Sequence, residues 1–394
     1  MQRFGLTRDL TWLTLSMGLW GLGFGLYGFL WPLYVEHLGG SAVVVGFLST
    51  LSGVATALVV FPGGYLADRV ERKTILIWGW CAAIPVPFMF ALAPNWHWLI
   101  PGVLLYFGSA FSTPALQAIV LDEASPSKLS TAYNVVMNVF GMGMVIGPTV
   151  GGLVVTHYSY HVVFMMSGLF YLASTACLLP VKRHRPTPST AVKPRWRPRT
   201  RPRFFRWVVF SATLAVIQGI TWPFVVPYLK ESGHLPVETI GMLSSAGILV
   251  ATLSAPLWGR LGDRVGLPRT LGYGLGMVTM GWIFLLWNPT SLGLVLSSGI
   301  LRGGGEGVRG LPGVAVGRTV RKDEAGTAYG VYNLVTEMAG ALAPLPGGFL
   351  YSQWPSMPMA ITAFLTAILA WWLIYDGSGR PPPDTIKEMP VRVL

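Results

Sequence analysis

Gly64-Tyr65-Leu66-Ala67-Asp68-Arg69 returns 195 residues later as Gly259-Arg260-Leu261-Gly262-Asp263-Arg264, and this echo decides the fold. Thr131-Ala132-Tyr133 returns as Thr327-Ala328-Tyr329, and Pro148, Gly151 and Gly152 return as Pro344, Gly347 and Gly348. Gly46-Phe47-Leu48-Ser49 has its counterpart in Gly241-Met242-Leu243-Ser244. The chain is therefore two copies of one unit. When such copies are made of membrane-spanning segments, the protein usually moves a solute across the bilayer, with its site where the copies meet.

The segments are of that kind. Apolar residues make up 52% of the chain and charged ones 11%, too few charges for an ordinary soluble surface. A span needs about 20 residues at ~1.5 Å rise. Twelve apolar stretches fit, near 9–36, 42–66, 74–93, 97–121, 129–156, 161–180, 205–230, 237–260, 270–287, 290–317, 325–350 and 356–375. They are too long for barrel strands, and an open backbone cannot face lipid. The expectation is an all-α polytopic membrane protein of 12 transmembrane helices in two pseudo-symmetric six-helix bundles. Residues 1–180 form the first bundle, 181–204 a basic Pro/Arg-rich linker, 205–376 the second bundle and 377–394 a tail.

The net charge of +12 could signal a nucleic-acid binder, but its placement says otherwise. Arg69, Arg72, Lys73, Lys128, Arg264, Arg269, Arg318, Arg321 and Lys322 all fall in loops on one side. So do the run from Lys182 to Arg206 and Arg380, Lys387 and Arg392, whereas the other side has only Lys230 beside Glu231. By the positive-inside rule both termini are expected in the cytoplasm, and the basic linker rests near anionic lipid. Aromatic interleaving among its basic residues is limited to Trp196, so no nucleic-acid partner is expected. The first apolar stretch lacks a convincing cleavage site, so no removable signal peptide is read. Cys81 and Cys177 read as ordinary buried thiols.

The loop Gly63-Gly64-Tyr65-Leu66-Ala67-Asp68-Arg69-Val70-Glu71-Arg72-Lys73 joins the second and third spans. Gly64 permits close approach of helix ends, and Asp68 can accept from a helix N-terminus. Here the chain resembles the major facilitator superfamily, whose signature runs G-x-L-A-D-R-x-G-R-K. Gly64, Leu66, Ala67, Asp68, Arg69, Arg72 and Lys73 match it, while Glu71 stands where Gly is usual. The second copy keeps Gly259, Leu261, Asp263, Arg264, Gly266 and Arg269. The resemblance implies that these loops latch the cytoplasmic side shut when the protein faces outward.

Gly143, Gly147, Pro148, Gly151 and Gly152 in the fifth span resemble the G-x-x-x-G-P-x-x-G-G motif of drug–proton antiporters. Small-residue stripes recur at Ser49, Gly53 and Ala57, at Gly247, Ala251 and Ala255, and at Ala339, Ala343 and Gly347. In the family's fold, helices 2, 5, 8 and 11 line the boundary between halves. The stripes are therefore expected to serve two bundles that rock on one another, although close packing alone also accounts for them.

Two places inside the membrane carry charge. Arg302, Glu306 and Arg309 lie on one face of the tenth span, and Glu337 stands alone in the eleventh with Asn333 one turn earlier. An ionisable group at mid-bilayer costs roughly 3 kcal/mol on insertion scales, so such groups face a cavity or one another. One reading is a ladder with Glu306 between two arginines. The other gives Glu306 or Glu337 a proton and an arginine to the cargo. Glu337 can equally pair with an arginine of the tenth span. Many exporters of this kind have an Arg in the fourth span and an acid in the first. This chain has Tyr106 at the place related to Arg302, and its first span has no acid between Asp9 at its start and Glu36 near its outer end.

By the same resemblance, helices 1, 4, 7 and 10 line the central cavity. They offer Trp20, Tyr27, Trp31, Tyr106, Thr113, Gln117, Gln218 and Trp222, with Asn134 and Asn138 from the fifth. Such a wall suits an amphipathic or ring-containing ligand. His37, His97, His157, His161, His184 and His234 are scattered at span ends and loops, and no G-x-x-x-x-G-K-[ST] loop is present, so neither an enzyme, a metal site nor ATP drive is expected. The expected protein is a monomeric, cofactor-free, proton-coupled exporter of amphipathic molecules in a bacterial-type cytoplasmic membrane. Uptake or exchange of a small organic anion, or glycolipid or lysolipid flipping, are the alternatives.

Overall fold

The computed structural model describes residues 7–125, 128–182, 202–320 and 325–376. These residues are helical nearly throughout, with no strand among them. Eight helices are long and apolar enough to cross a bilayer, and a ninth span is the bent pair Arg8–Gly28 and Trp31–His37, which meet at 47°. The eight are Ala42–Ala67, Arg72–Ala91, Trp96–Glu123, Thr131–His157, Pro202–Glu231, Val237–Val265, Leu267–Trp287 and Met357–Tyr375. Three further stretches complete the order: Tyr160–Ala176, the interrupted run from Leu292 to Gly317, and the run from Ala325 to Gln353. The order matches the twelve stretches read from sequence. The proposed linker 181–204 falls mostly outside the described residues and the tail 377–394 wholly so, as do Arg321 and Lys322.

Within the first half, the first span packs on the fifth and sixth; within the second, the seventh packs on the eleventh and twelfth and the ninth on the tenth and twelfth. Glycine makes the tightest of these contacts possible. A Cβ on Gly143 would overlap backbone at Gly21, one on Gly147 backbone at Gly25, and one on Gly151 the carbonyl of Leu26. The fifth-span stripe thus holds the first span within the half rather than serving the boundary. Gly347 makes the related contact on Ile220 in the second half. Pro148 and Gly152, on another face, meet Gly241 and Glu238 of the eighth span.

The boundary between halves is therefore a separate set of contacts, made by spans 5 with 8 and 2 with 11. Gly46 lies on Pro344, Gly53 on Ala341 and Gly348 on Ala42. Thr149 bonds Ser245 (Oγ1 to Oγ, 2.8 Å), Thr156 donates to Glu238 at 2.7 Å, and Leu345 N donates to Thr50 Oγ1 at 3.2 Å. All lie toward the ends of the spans remote from Asp68 and Asp263. That remote end is called the far end below, and the end bearing the duplicated loop the basic end.

Replacing Gly147 by Leu is expected to destabilise the protein by about 1–3 kcal/mol or more through overpacking of the first span. Gly141→Ala, where a Cβ meets nothing within 4 Å, is expected to be neutral or slightly stabilising. Thermal midpoints of both variants in the same detergent check the contrast.

Candidate functional site

Spans 1, 4, 7 and 10 share a feature that the apolar pattern alone does not display: each is broken. The breaks fall before Trp31-Pro32, at Ser109–Ser112 before Thr113-Pro114, at Trp222–Phe224 and at Gly307–Gly310 before Leu311-Pro312. In each case a proline stands at the second position of the new segment, where its missing N–H costs nothing. The run Gly303-Gly304-Gly305 precedes the tenth-span break. Mid-helix 3₁₀ turns free backbone carbonyls and mark places where a helix can hinge.

In the first half the space behind these breaks is filled with rings. Trp20 is stacked on Tyr171 with centroids 4.3 Å apart and tilted on Trp80 at 4.5 Å. Trp20 Nε1 donates to Tyr106 Oη at 3.2 Å, Tyr171 Oη donates to Tyr106 Oη at 3.2 Å, and the Tyr27 and Tyr171 hydroxyls are 3.1 Å apart. Trp20 and Tyr27 are buried, and Trp31 packs on Phe90. This corrects the expectation of a ring-lined cavity: Trp20 and Tyr27 form the bundle's own core, because their polar tips find partners inside it. Tyr171, unpredicted, completes that set. Its hydroxyl, one of several in the sixth span with Ser167, Ser174 and Thr175, was the available signal.

The second half differs. Arg302, at the place related to Tyr106, lies over the Trp282 ring with its guanidinium carbon 4.2 Å from the centroid, and its Nε donates to Ser298 Oγ at 3.2 Å. Its stem packs against Gly281. Arg309 instead turns to the seventh span, its Nε and Nη2 donating to Gln218 Oε1 at 3.0 and 2.6 Å. Arg309 Nε also stands 3.1 Å from Glu306 Oε2, and Gln218 Nε2 reaches both Glu306 oxygens at 3.4 Å. Gln218, Glu306 and Arg309 thus form one triad across spans 7 and 10. The expected ladder is broken: Arg302 is held by Trp282 and Ser298, so Glu306 has one arginine partner rather than two.

Glu337 and Asn333 are exposed, one turn apart, on the face of the eleventh span that continues Ala341, Pro344 and Gly348. Those three touch the second span, so this face looks into the gap between halves. Among the described residues no hydrogen bond or ion pair joins Glu337 to an arginine. Thr113, Gln117, Asn134 and Asn138 are exposed in the first half. Trp222 is 68% exposed at the seventh-span break, which lies against the second span.

The two ends of the gap are unlike. At the basic end each loop bonds within its own half: Arg72 with Asp122, Lys73 Nζ with the carbonyls of Leu179 and Val181, Arg69 over the Tyr65 ring at 3.8 Å, and Arg318 with Asp263 at 3.1 Å. A Cβ on Gly64 or Gly259 would meet nothing within 4 Å, and Phe61 and Leu257 are exposed. No hydrogen bond or ion pair between halves involves Asp68, Arg69, Asp263, Arg264 or Arg269 among the described residues. The halves are joined at the far end and parted at the basic end.

The profile of the Major Facilitator Superfamily matches residues 13–221 and 211–392, and the chain belongs to that family of transporters. It is 24% identical over 390 residues to the class H tetracycline resistance protein of Pasteurella multocida, covering 93% of this chain and 96% of that one. It is 29% identical over 286 residues to the multidrug resistance protein MdtG of Salmonella paratyphi A, covering 67% and 69%. Among solved structures, the nucleoside transporter NupG superposes with TM-score 0.79 at 15% identity, covering 95% of this chain and 100% of that one. A bacterial homologue of the iron transporter ferroportin, in its inward-facing state, gives 0.70 at 17%, covering 95% and 100%. At such identities these structures share the fold.

Gln218→Leu deletes both bonds to Arg309. Because Arg309 is 58% exposed, the expected loss is only about 1 kcal/mol, below the usual ~1.5–3 kcal/mol for a bond to a charged group. A thermal midpoint lowered by a few degrees, and not further lowered in Gln218→Leu/Arg309→Leu, checks that the triad acts as a unit.

Proposed function

We propose that this chain is a proton-coupled exporter of amphipathic small molecules, working by alternating access. The observation that carries the reading is a gap parted at one end, sealed at the other, and bordered at mid-span by Glu306, Arg309, Gln218 and Glu337. A relative named for tetracycline resistance, matched over nearly its whole length, and others named for multidrug resistance supply the direction and cargo class. The basic end, rich in Arg and Lys, is read as cytoplasmic, which makes the state described here inward-facing.

The parts then have roles. Amphipathic cargo enters from the cytoplasmic side and lies between the polar wall of Thr113, Gln117, Asn134 and Asn138 and the charged wall of the second half. The duplicated loops around Asp68 and Asp263 engage each other only when that side closes, which accounts for their bonding within each half here. Closing it requires parting the far-end contacts. The lipid bilayer, protons and cargo are the partners; the proton gradient takes the place of a cofactor, and one chain is sufficient.

Purified protein in proteoliposomes with a trapped pH dye and an imposed pH gradient tests this. Addition of amphipathic dyes is expected to release protons in wild type, with flux lowered at least tenfold in Glu306→Gln or Glu337→Gln. Cargo movement without proton flux, unchanged in both variants, would show a facilitator instead.

A further inference from the structure

Arg302 is a mid-span charge that the triad leaves out. Its guanidinium stays protonated and carries several N–H donors and no acceptor. Only Nε is committed, to Ser298 Oγ, while the flat face rests on the Trp282 ring. Among the described residues Arg302 makes no ion pair. Glu306, one turn along the same span, is engaged by Arg309 and Gln218. Gly281 fixes this placement, since a Cβ there would meet Arg302 Cγ at 2.6 Å.

The groups beside it are donors as well. Trp282 Nε1 is buried without a hydrogen-bond partner, in a side chain only 7% exposed, and an indole can donate but not accept. Ser298 is fully buried, and because its Oγ accepts from Arg302, its own hydrogen is left to donate. The neighbouring spans bring no further acid. Span 9 carries only Arg269, at its basic end, and span 12 has no charge before its last residue. On spans 7 and 8 every charge stands toward an end, and Glu337 of span 11 faces the gap. A buried donor without an acceptor and a buried charge without a counter-charge are each costly. A water answers the first but not the second.

We propose that Arg302, Trp282 Nε1 and Ser298 Oγ hold a small inorganic anion, chloride in the cell, between spans 9 and 10. The guanidinium carbon stands 4.2 Å from the centre of the Trp282 ring, so an anion accepting from Nε1 lies within the field of Arg302. Three donors without an acceptor suit an anion and repel a cation. Trp282 and Ser298 are buried and the arginine stem lies on Gly281, so the place fits a monatomic ion rather than a carboxylate carried on a cargo. The ion neutralises Arg302 and leaves Glu306 to Arg309 and Gln218. The two arginines of the tenth span are thereby separated, one in the triad and one on a resident ion. The first half needs no such ion, because Tyr106 stands at the related place and bonds Trp20 and Tyr171. This goes beyond the export reading and stands or falls independently of it.

The test is a halide titration of thermal stability, in which purified full-length protein in detergent is moved from gluconate to chloride or bromide at constant ionic strength and pH. The wild-type midpoint is expected to rise by several degrees and to saturate with either halide. Trp282→Phe keeps a ring under the guanidinium but removes the donor, so its half-saturating concentration should rise about tenfold. Arg302→Gln should lose the response, whereas Arg206→Gln, at the basic end of the seventh span, should keep it. A midpoint equal in chloride and gluconate would overturn the proposal. So would one common rise and half-point in wild type, Trp282→Phe and Arg302→Gln, which would mark a surface salt effect. Loss of the response in Arg206→Gln would also overturn it, by moving the ion to the membrane surface. If Arg302→Gln fails to fold, the comparison of Trp282→Phe with wild type decides alone. A halide response in a protein that moves no cargo would remove the export reading and leave the anion site standing.

Discussion

Backbone-to-backbone contact at glycine is the constraint on which this structure depends. In lipid there is little hydrophobic drive between helices, so cohesion comes from close packing and from satisfied polar groups. Gly147 and Gly151 let the first span lie against the fifth, and Gly347 repeats the device in the second half. These contacts make each half a firm body. The boundary between halves uses another set, with Gly46, Gly53, Gly241 and Gly348 on facing backbone. Its added bonds are few and neutral or charge-assisted at the rim, as in Thr149 with Ser245 and Thr156 with Glu238. The seam is built mostly of small surfaces, with the Phe29 ring against Gly241, which suits the proposed rocking of the halves.

The duplication supplied symmetry, and the side chains then broke it. Tyr106 and Arg302 occupy related places in halves of the same fold. In the first half the hydroxyls of Tyr27, Tyr106 and Tyr171 close on one another and on Trp20, so this ring cluster satisfies its own polar tips. In the second half an arginine needs a ring and a serine to settle, and a further carboxylate and arginine are drawn into the same span. Among the described residues, charge at mid-span is thereby confined to the second half, since Asp9 and Glu36 stand at the two ends of the first span. Movement of the uncharged half across Glu337 and the triad changes what those groups touch, which is the differential interaction a conformational switch requires.

Much of the fold was legible because periodicity, length and the repeat all point one way. The twelve apolar stretches, the two-fold duplication and the loop signature around Asp68 are local properties of the chain. The wall of the cavity was less legible. Trp20 and Tyr27 share a face of the first span, but a face that looks into its own bundle and one that looks into a gap carry the same pattern. Only the hydrogen bonds to Tyr106 and Tyr171 distinguish them. Likewise, the spacing of Arg302, Glu306 and Arg309 predicts a ladder on a regular helix. The 3₁₀ turn at Gly307–Gly310 rotates Arg309 toward Gln218, and Trp282 holds Arg302 away. The breaks went unread in the sequence, although prolines at 32, 114, 223 and 312 stand beside them in a pattern that repeats between halves.

The far-end seam gives the most direct measurement. Thr149 and Ser245 have short side chains that already touch across it, so a cysteine pair at these positions suits disulfide geometry. In protein lacking Cys81 and Cys177, oxidation of this pair should stop transport in proteoliposomes, and reduction should restore it, because the proposed mechanism lets cargo leave only when the seam opens. Undiminished transport with the pair fully cross-linked would contradict rocking of two halves about that seam.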